Sequence, residues 1–247
     1  MATVKEIYNF IDSIAPFDTQ EEWDNSGILV GDKNADVNKI LFTLDITNDV
    51  IEQAVDGRFD LIVSHHPLIF RPVKNVLSDT LVYNTVKSGL NVISAHTNFD
   101  KAIDGINDEL CRKIGLNNFE KTGNTYLNIA TVDEEMTYED FVKIIKKSLN
   151  TSIRFNSVNK NIKKIGVCGG SGCDFLKLAK ELGCDAFLTG DASHHKFLDA
   201  DEMGILLVAA GHFETENIAI KTLADKIKND FEIECVLAVQ NTPINEI

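Results

Sequence analysis

Leu61-Ile62-Val63-Ser64-His65-His66-Pro67 is the stretch on which the reading of this chain turns. With Asp60 before it, the short β-branched apolar run predicts a buried strand, and it sets two adjacent histidines at that strand's C-terminal end. In an open α/β sheet, ligands bind in the crevice outside the carboxyl ends of the strands. Imidazole is the commonest nitrogen ligand for divalent first-row ions, so two of them on one rigid strand end suit a metal. A His-His dipeptide by itself is a weak motif, and a pair of surface or capping histidines reads equally well from it.

Working outward, Lys39 to Asp45 predicts a strand and Asn48 to Val55 a helix with Val50, Ile51 and Ala54 on one face; with 60–64 they form a βαβ unit. Upstream, Ile7, Phe10, Ile11 and Ile14 mark an amphipathic helix over Val4 to Ile14, with Pro16 as its stop. The polar loop Glu21-Glu22-Trp23-Asp24-Asn25-Ser26-Gly27 carries the single tryptophan, and its residue types suit a structured turn and a functional loop alike. Downstream, Thr80 to Ser88 reads as a helix. Asn91 to Ala95 then reads as another buried strand, ending at His96 with Asp100 shortly after, and Asp104 to Ile114 as a further helix.

Past Gly115 the character changes. Tyr126 to Val132 reads as a strand and Tyr138 to Leu149 as an amphipathic helix, so a second lobe is expected to begin near Gly123. From Lys164 the pattern repeats: strand Lys164 to Cys168, helix Asp174 to Leu182, strand Asp185 to Thr189 ending near Gly190-Asp191 and His194-His195. Overlaid without a gap, Lys39, Ile40, Asp49, Ala54 and Asp60 meet Lys164, Ile165, Asp174, Ala179 and Asp185. Strand Ile205 to Ala210 ends at His212, and His212-x-x-x-Glu216 repeats the spacing of His96-x-x-x-Asp100. The expectation is an internal duplication, two similar βαβ-type lobes facing each other across a site. An amphipathic helix, Asn217 to Lys228, and a strand, Phe231 to Val239, close the chain.

All six histidines fall at or just after predicted strand ends. Imidazoles with the carboxylates Asp100 and Glu216, and no cysteine among them, favour Zn, Fe, Mn or Co over the all-oxygen sites of Mg and Ca. So many ligands exceed what one open catalytic ion takes, and two ions sharing a bridging carboxylate account for them better. His96, His194 and His195 read either as acids, bases and orienting groups or as structural histidines. Gly169-Gly170-Ser171-Gly172 reads as a tight turn or a phosphate cradle, and it matches no established phosphate-loop pattern.

The 247 residues are 44% hydrophobic and 25% charged, an ordinary globular composition with room for one to two domains. No apolar run approaches a membrane span, and the N-terminal residues lack a secretory pattern, so no membrane association and a cytoplasmic location are expected. A formal net charge of −14 disfavours non-specific nucleic-acid binding. Five cysteines without a Cys-x-x-Cys pair argue against a disulfide framework and a thiolate zinc cage.

Five motifs in order, Trp23 to Gly27, Ser64 to Pro67, His96-Thr97-Asn98-Phe99-Asp100, Gly190-Asp191 with His194-His195, and Gly211 to Glu216, resemble those of the Nif-three-like family. Its members often carry the label GTP cyclohydrolase I type 2 homologue. The resemblance implies an α/β fold of two interlinked lobes, 1–122 plus 206–247 and 123–205, with the metal site in the cleft between them. It implies a dinuclear centre held by His65, His66, Asp100, His212 and Glu216, with Glu216 as the bridge, and a homohexamer. Longer relatives insert a further domain between the lobes, for which this chain is too short.

The function expected is a dinuclear metal-dependent hydrolase acting on a small molecule, a purine nucleotide by the family label, with His96 and His195 as candidate catalytic groups. The rival is a metal-binding regulatory or interaction protein that uses the ions structurally or delivers them to a partner.

Overall fold

The computed structural model describes residues 2–123 and 125–244. The chain divides into two compact units, Met1–Gly105 with Ala219–Asn241, and Ile106–Ile218 with Thr242–Ile247. Each is built on its own mixed sheet. In the first, the strand order is Glu234–Leu237, Lys39–Thr43, Leu61–Ser64, Asn91–Ser94, Gly27–Val30; the last is antiparallel and the others run parallel. In the second, the order is Phe119–Lys121, Asn128–Met136, Ile162–Val167, Ala186–Thr189, Leu206–Ala209, Arg154–Phe155, with the third to fifth strands parallel.

The central strands are buried at every position, as continuous apolar runs require when both faces of a sheet are covered. Leu41, Ile62 and Val92 pack with Val50, Ile51 and Ala54, the apolar face of helix Asn48–Asp56. In the second unit Ile165, Val167, Leu188 and Val208 pack with Phe141, Val142 and Ile145 of helix Tyr138–Leu149. Leu110, Cys111 and Ile114 join that same core. This places the division between the units before helix Ile106–Lys113 and not near residue 122. Likewise Leu206–Ala209 pairs with Ala186–Thr189, so the segment from 206 to 218 lies in the second unit and not, as expected, in the first.

The register supports duplication of the βαβ segment. The pairs Ile40↔Leu61 and Phe42↔Val63 correspond under the gap-free overlay to Ile165↔Ala186 and Val167↔Leu188, and both sets are paired in parallel. Asp60 and Asp185 do the same work. Asp60 Oδ2 accepts from the N–H groups of Asn38 and Lys39 at 2.8 and 3.0 Å, and Asp185 Oδ2 from those of Lys163 and Lys164 at 3.1 and 3.0 Å. Each carboxylate thereby ties the entry of one strand to the entry of its neighbour.

The third strand corrects one expectation. Ser64↔Ser94 and Thr189↔Ala209 are equivalent pairs, so His96 corresponds to Gly211 and Thr97 to His212. The two His-x-x-x-carboxylate spacings are therefore one residue out of register. They are similar in sequence without being copies of one position.

Burial by itself raises the Asp185 carboxyl, but the Lys164 N–H, the Lys160 ammonium and the Lys163 N–H outweigh it and hold the group below its ordinary value. Because the folded value is the lower one, the group's contribution to stability is complete above about pH 3.9 and is lost as pH falls through the folded value. Asp185→Ala is expected to lower stability by about 1–3 kcal/mol in urea unfolding at neutral pH. The gap between variant and parent should narrow below about pH 4.

Candidate metal centre

His65 and His66 follow strand Leu61–Ser64 directly, and their N–H groups continue its ladder to Thr43 O at 3.1 Å and Leu44 O at 2.9 Å. The backbone under both rings is thus as fixed as the sheet. Strand Asn91–Ser94 delivers His96, and the short helix Thr97–Lys101 carries Asp100 one turn further on. The donor atoms of His65, His66 and His96 all lie within 4.8 Å of one another. His65 is buried, and its Nε2 stands 3.8 Å from Asp100 Oδ1.

Each of these rings has its Nδ1 on an oxygen. His65 Nδ1 lies 2.8 Å from Ala95 O, His66 Nδ1 2.6 Å from Asp45 Oδ1, and His96 Nδ1 2.8 Å from Asp24 Oδ1. Carbonyl and carboxylate oxygens only accept, so the hydrogen sits on Nδ1 and the lone pair of the neutral ring on Nε2. Three imidazoles with donor nitrogens within 4.8 Å of one another and oriented Nδ1–H groups suit a divalent ion of the zinc, iron, manganese or cobalt type. The residues present therefore fit such an ion.

The second unit repeats the device. His212 opens helix His212–Asp230; its Nδ1 lies 2.7 Å from Asp191 Oδ2 and its Nε2 3.0 Å from Glu216 Oε2, one turn along the helix. Glu216 is buried. Its carboxylate lies over Gly170, where a Cβ would meet Oε1 at 1.8 Å, and Gly170 has a φ of +54°. The Gly169-to-Gly172 segment is a tight turn. Two of its N–H groups are engaged, that of Gly169 with Asn107 Oδ1 at 2.8 Å and that of Gly170 with Thr215 Oγ1 at 3.0 Å, and these two are not free for a phosphate. What the glycine supplies is space for a carboxylate.

Asp24, Asp45 and Asp191 escaped the sequence reading as orienting groups. Their signal was positional, since Asp45 and Asp191 lie just past strands Lys39–Thr43 and Ala186–Thr189, and Asp24 precedes strand Gly27–Val30. Asp24 is a hub: its enclosed carboxylate accepts from His96, the Thr97 N–H and hydroxyl at 3.1 and 2.5 Å, the Asn25 N–H at 2.8 Å and the Ser26 hydroxyl at 3.0 Å. His194 and His195 lie exposed at the start of helix His194–Met203, a helix that weak amphipathic patterning concealed, and His195 Nε2 lies 3.2 Å from Ser193 Oγ. Neither joins a group of metal-type donors among the described residues. The five cysteines are unbridged. Burial pushes the Cys111 thiol up to about 12 and those of Cys173, Cys184 and Cys235 to about 11, which keeps them protonated and poor ligands.

Two mixed sheets with oriented imidazoles at the carboxyl ends of parallel strands define an α/β protein with the donor set of a divalent-metal binder. The chain belongs to the Duf34/NIF3 (NGG1p interacting factor 3) family, whose profile matches residues 2–243. A GTP cyclohydrolase 1 type 2 homolog of Clostridium perfringens is 36% identical over 250 residues, covering 95% of each chain. The one from Campylobacter jejuni is 34% identical over 248 residues, covering 97% of this chain and 98% of its own. Among solved structures, a hypothetical protein of Staphylococcus aureus matches with a TM-score of 0.90 at 30% identity over 99% of both chains. Reduced HcgD from Methanocaldococcus jannaschii matches at 0.85 and 28% identity, over 96% of this chain and 97% of that one. No helix of the described residues is long and apolar enough to cross a membrane.

Proposed function

We propose that the protein is a divalent-metal-dependent hydrolase, with His65, His66, Asp100, His212 and Glu216 as the ligands of two ions and Glu216 as the bridge. The observation that carries the metal reading is the closeness of His65 Nε2 to Asp100 and of His212 Nε2 to Glu216, with the Nδ1 of His65, His66 and His212 each held by an oxygen. Two ions would supply Lewis-acid polarisation of the bond under attack and water acidified enough to react near neutral pH. The chain's own groups do the rest. Asp45 and Asp191 fix the rings of His66 and His212, and Asp24 fixes His96, which stands beside the ligands as a proton donor or acceptor. A catalytic role for His195 rests on its sequence position alone.

The substrate class proposed is a purine nucleotide, after the relatives named GTP cyclohydrolase 1 type 2 homolog, and the assembly a cytoplasmic homohexamer. A screen of nucleotides and phosphoesters with metal-loaded protein tests it. Hydrolysis of a purine nucleotide is expected, with loss of at least a hundredfold in His66→Ala and Glu216→Ala. Activity retained in metal-free protein would sink the proposal. The second reading, a metal-binding protein that acts through a protein partner, has the family's own description in its favour, that of an interacting factor. Saturated ligand shells on both ions and no turnover in the screen would favour it.

A further inference from the structure

Beside the histidine cluster stand two aromatic side chains that no part of the metal chemistry uses. Trp23 is 57% exposed and Phe70 43%, although both are large and apolar. Their ring centroids are 5.8 Å apart at 52°, so they form a corner and not a closed stack. Each also reaches His96, at 6.2 and 6.0 Å. The corner is built on anchored loops: Asn25 Nδ2 donates to Ile69 O, which ties the Trp23 loop to the Phe70 loop, and the Asp24 hub ties the former to the end of strand Asn91–Ser94. Aromatic surface held in place in this way loses little entropy when a flat partner arrives.

We infer that Trp23 and Phe70 form a stacking subsite for a planar heteroaromatic ligand, held beside His96. The placement favours a small molecule over a macromolecule, because both rings lie within contact of a histidine of the donor cluster. The inference deepens the proposed function and rests on it for the meaning of the site, but its test reads binding and not turnover.

Trp23 is the only tryptophan in the chain, so its emission reports on the corner directly. Metal-loaded protein, excited at the red edge of the indole band, is titrated with guanosine 5′-monophosphate, and with ribose 5-phosphate as a control without the ring. Saturable quenching by the nucleotide alone is expected, with the half-saturation concentration raised about tenfold or more in Phe70→Ala, since stacked bases lose on the order of that when the aromatic is removed. Phe70 is half exposed, so the variant should fold; circular dichroism and an unchanged metal content check this.

Quenching without hydrolysis in the nucleotide screen would keep the subsite and remove the hydrolase. Hydrolysis without quenching would do the reverse. An equal response to ribose 5-phosphate, or one unchanged in Phe70→Ala, overturns the stacking role. So does an emission shift on dilution of ligand-free protein that Phe70→Ala abolishes, because the corner would then be a contact between copies.

Discussion

Asp24→Ala is expected to destabilise the protein by about 3–5 kcal/mol, the range for removing one partner from a buried, hydrogen-bonded charge. Its carboxylate is wholly enclosed, and the substitution strands donors from His96, Thr97, Asn25 and Ser26 together. Burial alone would raise this carboxyl; the hydrogen bonds from His96 and Thr97 outweigh it and hold the group far below the ordinary carboxylate range. The sign follows from the lowered folded value. Stability from Asp24 is present above about pH 3.9 and disappears as pH falls through the folded value, so the parent should lose stability steeply in acid and the variant less so. Urea midpoints measured from pH 7 down to pH 3 check both parts. Equal midpoints for variant and parent at neutral pH would show that the hub carries no stability.

Gly170→Ala should separate stability from metal affinity. An alanine must adopt φ near +54°, which costs about 1 kcal/mol, and its Cβ would meet Glu216 Oε1 at 1.8 Å and His212 Nε2 at 3.2 Å. The carboxylate sits at the far end of a flexible side chain and swings aside at small cost to folding. As a proposed ligand, however, it then leaves its place. A fall in metal affinity of about 10–100-fold is expected, with a stability loss of only about 1 kcal/mol. Calorimetric titration with Zn²⁺ and thermal unfolding of the metal-free protein read the two effects apart. Unchanged affinity would mean that Glu216 is not a ligand.

Much of the fold was legible in the sequence because its central strands are continuous apolar runs and its longer amphipathic helices carry a one-sided apolar pattern. Ile7 and Ile11, and Val50, Ile51 and Ala54, are buried as that pattern requires, and the βαβ overlay survives in the strand register. The lobe boundaries were not legible, since the placement of 106–122 and 206–218 depends on which core Leu110, Ile114 and Leu206 enter, a long-range fact that periodicity does not carry. Equal His-x-x-x-carboxylate spacing suggested copied positions, yet pairing of Ser94 and Ala209 with their neighbours sets them one residue apart. Histidines at strand ends were visible as a class, because strand ends are where an α/β sheet presents side chains. Their orienting aspartates were not, because Asp24, Asp45 and Asp191 are ordinary turn residues until the fold sets them against an imidazole nitrogen.

Elemental analysis of chelator-stripped protein, reloaded by dialysis with Zn²⁺, Mn²⁺, Co²⁺ or anaerobic Fe²⁺, asks whether the histidine cluster is a metal site. Two tightly held ions per chain are expected in the parent, with both lost in folded His66→Ala. A parent that holds no ion, or a His66→Ala variant that keeps its full complement, would show that it is not one.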